Sequence, residues 1–201
     1  MAHIDTVERL RSIISQPHPM TQEKLLDHLD EQARTFIAHS PFLVMSTVSD
    51  AGVEASPKGD EAGFVQVLGD RTLLVPERPG NKLAFGLQNI LANGEIGLLF
   101  MRPGTGETLR VGGRARLIDD ADVLQQLSAR GKPAVLAIRV DVVRAFFHCA
   151  RSVLRANLWE PEHWPEKQTV SFGRIMREKI KVDEAVSQLI DSSVAASYQD
   201  L

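Results

Sequence analysis

One stretch, Thr72 to Leu117, leaves this chain few ways to fold: TLLVPERPGNKLAFGLQNILANGEIGLLFMRPGTGETLRVGGRARL. A short apolar strand, Leu73 to Val75, enters a Pro- and Gly-bearing turn that carries Arg78, Asn81 and Lys82. A helix-like segment starts at that turn, and a second apolar strand, Ile96 to Met101, follows it. A hairpin turn, Pro103 to Gly106, then leads into a long third strand with Arg110, Gly112 and Gly113. Strands joined this closely pair as neighbours. Basic and amide side chains at the mouth of a helix also make a ready anion site. The first-turn N–H groups point outward, the helix dipole favours negative charge, and Lys82 adds a point charge.

The same strand-and-turn pattern extends on both sides. Phe42 to Ser49 is apolar and β-branched, Asp50-Ala51-Gly52 turns the chain, and Val53 to Ser56 returns. Lys58 to Gly63 is a polar link, Phe64 to Leu68 alternates around Gln66, and Gly69-Asp70 makes the next turn. Further strands are predicted near 134–140 and 143–149. About seven strands joined mostly by short turns have either to close or to pack on another sheet. A small closed antiparallel barrel is the economical solution, because closure removes exposed edges.

Helices are predicted around this sheet, so the expected class is mainly β with peripheral helices (α+β), in one domain over 1–201. The N-terminal helices cover about 4–40. Ile4, Val7, Leu10 and Ile14 form a weak stripe that Pro17 and Pro19 interrupt. Leu25, Leu29, Ala33, Phe36 and Ile37 form a clearer one, with Thr21 as N-cap and Pro41 as the stop. Asp119 to Arg130 reads as a helix capped by Asp119 or Asp120 and ended by Gly131-Lys132-Pro133, and its acidic cluster as capping rather than metal binding. The C-terminal helical segment covers about 173–198, with Asp183 capping a stripe of Val186, Leu189, Ile190 and Val194.

Hydrophobic residues make up 43% and charged residues 24%, a globular rather than a disordered balance. A formal net charge of −3 gives no electrostatic case for nucleic acid. No apolar run reaches the roughly 20 residues that span a bilayer, and the N-terminus lacks a signal-peptide layout. The single cysteine, Cys149, cannot form an internal disulfide, which points to a reducing cytoplasm, and it is expected to be buried. His148 and Cys149 are adjacent on a predicted strand, so they face opposite ways and do not share a metal. No H-E-x-x-H, C-x-x-C, G-x-S-x-G, P-loop or Rossmann pattern is present. No metal site and no catalytic acid, base or triad is therefore assigned.

The order of these pieces resembles a known family. R-P-G-N-K, a helix ending N-I-L-A-N-G, the strand G-L-L-F and L-R-V-G-G-R-A are similar to the pyridoxamine 5′-phosphate oxidase-like flavoproteins, the FMN-binding split barrels. Ala55 to Asp60 upstream, and Cys149 to Ser152 with Leu158-Trp159 downstream, extend the likeness over roughly residues 20 to 175. The resemblance implies a homodimer with FMN at the subunit interface, acting as an oxidoreductase on a small-molecule substrate. It also implies site residues. Asn81 and Lys82 stand at the phosphate position, with Arg78 in the same turn. Lys58 lies on an earlier strand beside Ser56 and Gly59, Val75 on the strand that backs the flavin ring, and Arg110 where a polar side chain reaches it. Arg151, Ser152, Arg155 and Trp159 are candidates for the wall over the partner's flavin. The R-L-H segment that grips substrate phosphate in true pyridoxamine phosphate oxidases is missing from VAASYQDL, so vitamin B6 oxidation is not favoured. Related barrels bind haem or F420, and a ligand-free barrel with a binding or regulatory role is the remaining alternative.

Overall fold

The structure, a computed structural model, describes residues 3–199, so Met1, Ala2, Asp200 and Leu201 of the expected single domain lie outside it. The chain forms two compact units, Met1–Glu160 and Pro161–Leu201.

In chain order, the first unit holds the helices α1 (Val7–Ile13), α2 (Pro19–Gln22) and α3 (Glu31–Ala38). The strands β1 (Phe42–Ser49), β2 (Gly52–Gly59), β3 (Gln66–Val67) and β4 (Thr72–Glu77) follow. Helix α4 (Phe85–Asn93), strands β5 (Glu95–Met101) and β6 (Thr108–Ile118), helix α5 (Ala121–Gln126), strand β7 (Leu136–His148) and helix α6 (Arg151–Arg155) complete it. The second unit has a short 3₁₀ turn (Pro161–His163), then α7 (Phe172–Ile180) and α8 (Glu184–Ser197).

All seven strands join one antiparallel sheet in the order β2-β1-β5-β6-β7-β4-β3. The predicted closed barrel is not formed: no ladder joins the two end strands, β2 and β3. Pro57 in β2 and Pro76 in β4 each withhold an N–H donor. Ion pairs span the gap between β2 and β4 instead, Lys58 with Glu77 and Arg78 with Asp60.

Strand alternation sorts the side chains. Leu43, Met45, Leu98, Phe100, Leu109, Val111, Val140 and Ala145 share the inner face and form the main core with Leu29, Ala33, Phe36 and Ile37. Phe36 meets Phe147 edge to face, with ring centres 5.4 Å apart at 81°. A smaller core of Leu74, Leu127, Ala134 and Ala137 lies under α5.

Several elements differ from the sequence reading. The helix expected through Leu25 and Leu29 is broken. Asp30 Oδ1 accepts from Ala33 N and starts α3, while Leu26 makes a backbone bridge to Ala145. The two strands predicted near 134–140 and 143–149 are one, β7, bent opposite a bulge at Gly112/Gly113. A Cβ on Gly113 would lie 2.4 Å from the Asp141 carbonyl oxygen, so the bulge needs glycine there. Cys149 is exposed rather than buried, because β7 ends at His148 before reaching it. The two C-terminal helices fall where predicted. Of the two caps read for α5, Asp120 is the one formed, and the helix ends at Gln126, short of the predicted Arg130.

Candidate functional site

The turn after β4 is built from unusual backbone. Lys82 and Ala84 have φ of 62° and 55°, both left-handed, and Asn81 Oδ1 accepts from Leu83 N at 3.0 Å. Helix α4 therefore starts at Phe85, three residues after the predicted entrance at Lys82. Ala84 occupies the N-cap and supplies no side-chain acceptor, so the first-turn amides of α4 lack a side-chain cap. Lys82 is exposed and makes no ion pair among the described residues.

Buried Asn89 fixes α4 against the sheet. Ser49 Oγ donates to Asn89 Oδ1 at 2.5 Å, and Asn89 Nδ2 donates to the Gly52 carbonyl at 3.3 Å. The first turn of α4 lies directly on β1 and β2. A Cβ on Gly86 would sit 3.3 Å from Met45 Cε and Thr47 Oγ1 and 3.6 Å from Ser56 Oγ. Ser56 is thus brought to the start of α4.

Lys58 and Arg78 are already engaged. Lys58 Nζ pairs with Glu77, both partly buried. Arg78 Nε donates to Asp60 Oδ2 at 2.8 Å, and Asp60 is nearly buried. Arg78 Nη1 is buried without a hydrogen-bond partner among the described residues. Such an orphaned donor is uncommon and marks a place where an acceptor fits. A Cβ on Gly59 would lie 3.4 Å from Phe42 Cδ2 and from the Pro41 carbonyl oxygen. Val75 is fully buried in register with Ile138, so it has only backbone to offer a ligand.

A second set of groups lies on the outer face of the sheet. Arg110 is paired with Leu99 and Phe146, away from the core. Its guanidinium stands 5.1 Å from the Phe146 ring centre, and that of Arg144 stands 5.9 Å from the same ring. These three line a groove of about 630 Å³ with His148 and Ser152. Its floor is bare where Gly97 pairs with Gly112, since a Cβ on Gly112 would meet nothing within 4 Å. Arg151 and Arg155, on α6, are exposed and do not line the groove. Trp159 is half-buried and donates from Nε1 to the Thr105 carbonyl at 2.8 Å, which ties it to the β5–β6 hairpin of its own chain.

Some of the predicted residues therefore gather in two places, and Arg151, Arg155 and Trp159 join neither. Ser56 and Lys58 share the inner face, opposite Met45 and Leu43, while Arg110 and Ser152 serve the outer groove. Asp60, Glu77, Arg144 and Phe146 were not singled out from sequence. Asp60 and Glu77 each neighbour a predicted basic residue, and that local charge alternation was the available signal.

Residues 29–149 match the family model for pyridoxamine 5′-phosphate oxidase, three-fifths of the chain. The chain belongs to the pyridoxamine 5′-phosphate oxidase family. The solved structures it is similar to share little sequence with it. HupZ of Group A Streptococcus is 18% identical, with a TM-score of 0.48, covering 59% of this chain and 92% of its own. An FMN-binding protein from Syntrophomonas wolfei subsp. wolfei is 16% identical, with a TM-score of 0.47 and coverage of 70% and 95%. General Stress Protein 26 from Bacillus anthracis str. Sterne is 17% identical, with a TM-score of 0.43 and coverage of 56% and 88%. No curated protein matches the chain. Helices α7 and α8 lie beyond the segment that matches the pyridoxamine 5′-phosphate oxidase family model. No helix among the described residues is long and apolar enough to cross a membrane.

Proposed function

We propose that this chain is an FMN-dependent oxidoreductase of the pyridoxamine 5′-phosphate oxidase family, working as a homodimer on a small-molecule substrate. The observation that carries the reading is the start of α4, with first-turn amides that no side chain caps beside an unpaired Lys82. Amides and a free cation at a helix start suit a phosphate. The buried, partnerless Arg78 Nη1 fits the same anion.

When bound, FMN supplies the electron-accepting centre, which no side chain of this chain could provide. The chain binds and orients it and limits access of water. Lys82, Asn81 and the α4 amides hold the phosphate, with Ser56 beside the first turn. Asp60 holds Arg78 in place. Lys58 closes the gap between β2 and β4 through Glu77 and has a structural rather than a ligand role. Two copies related by a two-fold axis bring the inner-face set of one chain to the outer groove of the other, where Arg110 and Ser152 wall the ring. Arg151 and Arg155, exposed on α6, reach toward the same interface.

Titration of FMN-free protein with FMN and with riboflavin tests this reading. Lys82→Ala should weaken FMN binding by roughly 1.5–3 kcal/mol, as for a lost charge-assisted bond, and leave riboflavin binding unchanged. Equal loss for both ligands would remove Lys82 from the phosphate site.

A further inference from the structure

Strands β6 and β7 carry five arginines, and the fold treats them unequally. Arg114 pairs with Glu95, and Arg116 and Arg139 share Asp141. Arg110 and Arg144 make no ion pair or hydrogen bond among the described residues; both guanidiniums stand against the Phe146 ring instead. These two are the arginines that line the outer groove. The other polar side chains there are Ser46, Thr108, His148 and Ser152, so each polar side chain of the groove can donate and none is acidic. The whole chain has a formal net charge of −3, which makes this cationic groove a local departure from its balance. Two like charges held at one ring without a counter-ion raise the potential in the groove and draw an anion into it.

Shape and backbone narrow the choice of anion. The register sets Arg110 opposite Phe146 and Arg144 opposite Gly112, so the guanidiniums approach the ring from adjacent strands. Gly112 and its partner Gly97 leave the floor beside them without side chains, where a flat body can lie. A volume of about 630 Å³ suits one small molecule. Strands β5, β6 and β7 are each paired on both sides, so their amides are spent in the ladders. The floor therefore lacks the cluster of free N–H groups that cradles a phosphate. What remains are guanidinium forks, whose planar donors match the coplanar oxygens of a carboxylate. We propose that the groove takes the substrate and that the substrate is a flat aromatic or conjugated carboxylate, with its body over the glycine floor and its carboxylate on Arg110 and Arg144. This names the substrate class of the flavin site proposed above and rests on that reading for the reaction, though not for binding of the acid.

The test is calorimetric titration of the full chain, with FMN and without it, using cinnamate and its neutral isostere cinnamamide as probes. Cinnamate should bind saturably, at least about tenfold more tightly than the amide, and its affinity should fall as salt is raised. Arg144→Gln should weaken cinnamate binding about tenfold and leave the amide unchanged. Arg114→Gln, which loses only its pair with Glu95, should change neither. The comparison of acid with amide on the unaltered chain stands whatever the substitutions do to folding. Absence of cinnamate binding, or equal affinity for acid and amide, overturns the proposal. So does a loss in Arg144→Gln no larger than that in Arg114→Gln. Flavin absorbance in the same samples reports FMN separately. FMN bound with cinnamate ignored overturns the substrate class alone, and cinnamate bound with FMN refused overturns the flavin reading alone.

Discussion

Arg78 donates from Nε to Asp60 Oδ2 at 2.8 Å, while its buried Nη1 has no partner among the described residues. One end of the guanidinium is fixed and the other is left for an acceptor. Replacing Asp60 by Asn keeps the shape but removes the charge that fixes Arg78. FMN affinity should fall by about 1 kcal/mol, the worth of a typical net hydrogen bond. Riboflavin affinity should hold, and parallel fluorescence titrations check both.

Lys58 and Glu77 bridge β2 and β4 where no ladder does. Lys58→Ala leaves the partly buried Glu77 carboxylate without its cation and should cost about 1–3 kcal/mol of stability. Lys58→Met with Glu77→Leu should recover most of that loss, because a pair of apolar groups leaves no charge behind. Urea denaturation of the three variants measures it.

Gly113→Ala places a Cβ 2.4 Å from the Asp141 carbonyl oxygen at the bulge between β6 and β7. The strands must separate to admit it, at a cost of about 1–3 kcal/mol. Gly112→Ala meets nothing within 4 Å and should leave the melting temperature nearly unchanged. Thermal melts of the two neighbours provide an internal control.

Asp27 is held down at about 2, first by its hydrogen bond with His28 and then by the one Arg71 donates at 2.6 Å. A depressed carboxylate contributes stability above its ordinary range, and that contribution is lost as pH falls through the folded-state value. The contribution should therefore be intact at neutral pH and disappear only on acidification toward pH 2. Arg71→Ala should move the Asp27 midpoint, followed by carboxyl NMR, up toward the ordinary value.

The strands and the two C-terminal helices were legible because alternation, caps and turn residues are local signals, whereas the helix read through Leu25 and Leu29 is broken by the Leu26 bridge to Ala145. The Asp50-Ala51-Gly52 turn and the Asp183 cap fall where they were read, and Asp120 is the one of the two caps read for α5 that forms. Closure was not legible. It depends on whether β2 and β3 meet after the rest of the sheet has curled, and Pro57 and Pro76 act on that step without disturbing the local pattern. The α4 start was displaced because Lys82 and Ala84 adopt left-handed backbone that non-glycine residues rarely do. The outer groove escaped notice for a similar reason. Arg110 is distant in sequence from Arg144 and Phe146, and only the β6–β7 register brings its guanidinium to the ring that Arg144 also faces.

The absorbance spectrum of the purified protein, before and after FMN is added, tests the central claim most directly. The account predicts flavin bands with one FMN per chain, and FMN held at least about tenfold more tightly than riboflavin, the difference that one lost charge-assisted contact gives. A protein that stays colourless with excess FMN, or one that shows a Soret band instead, would contradict it.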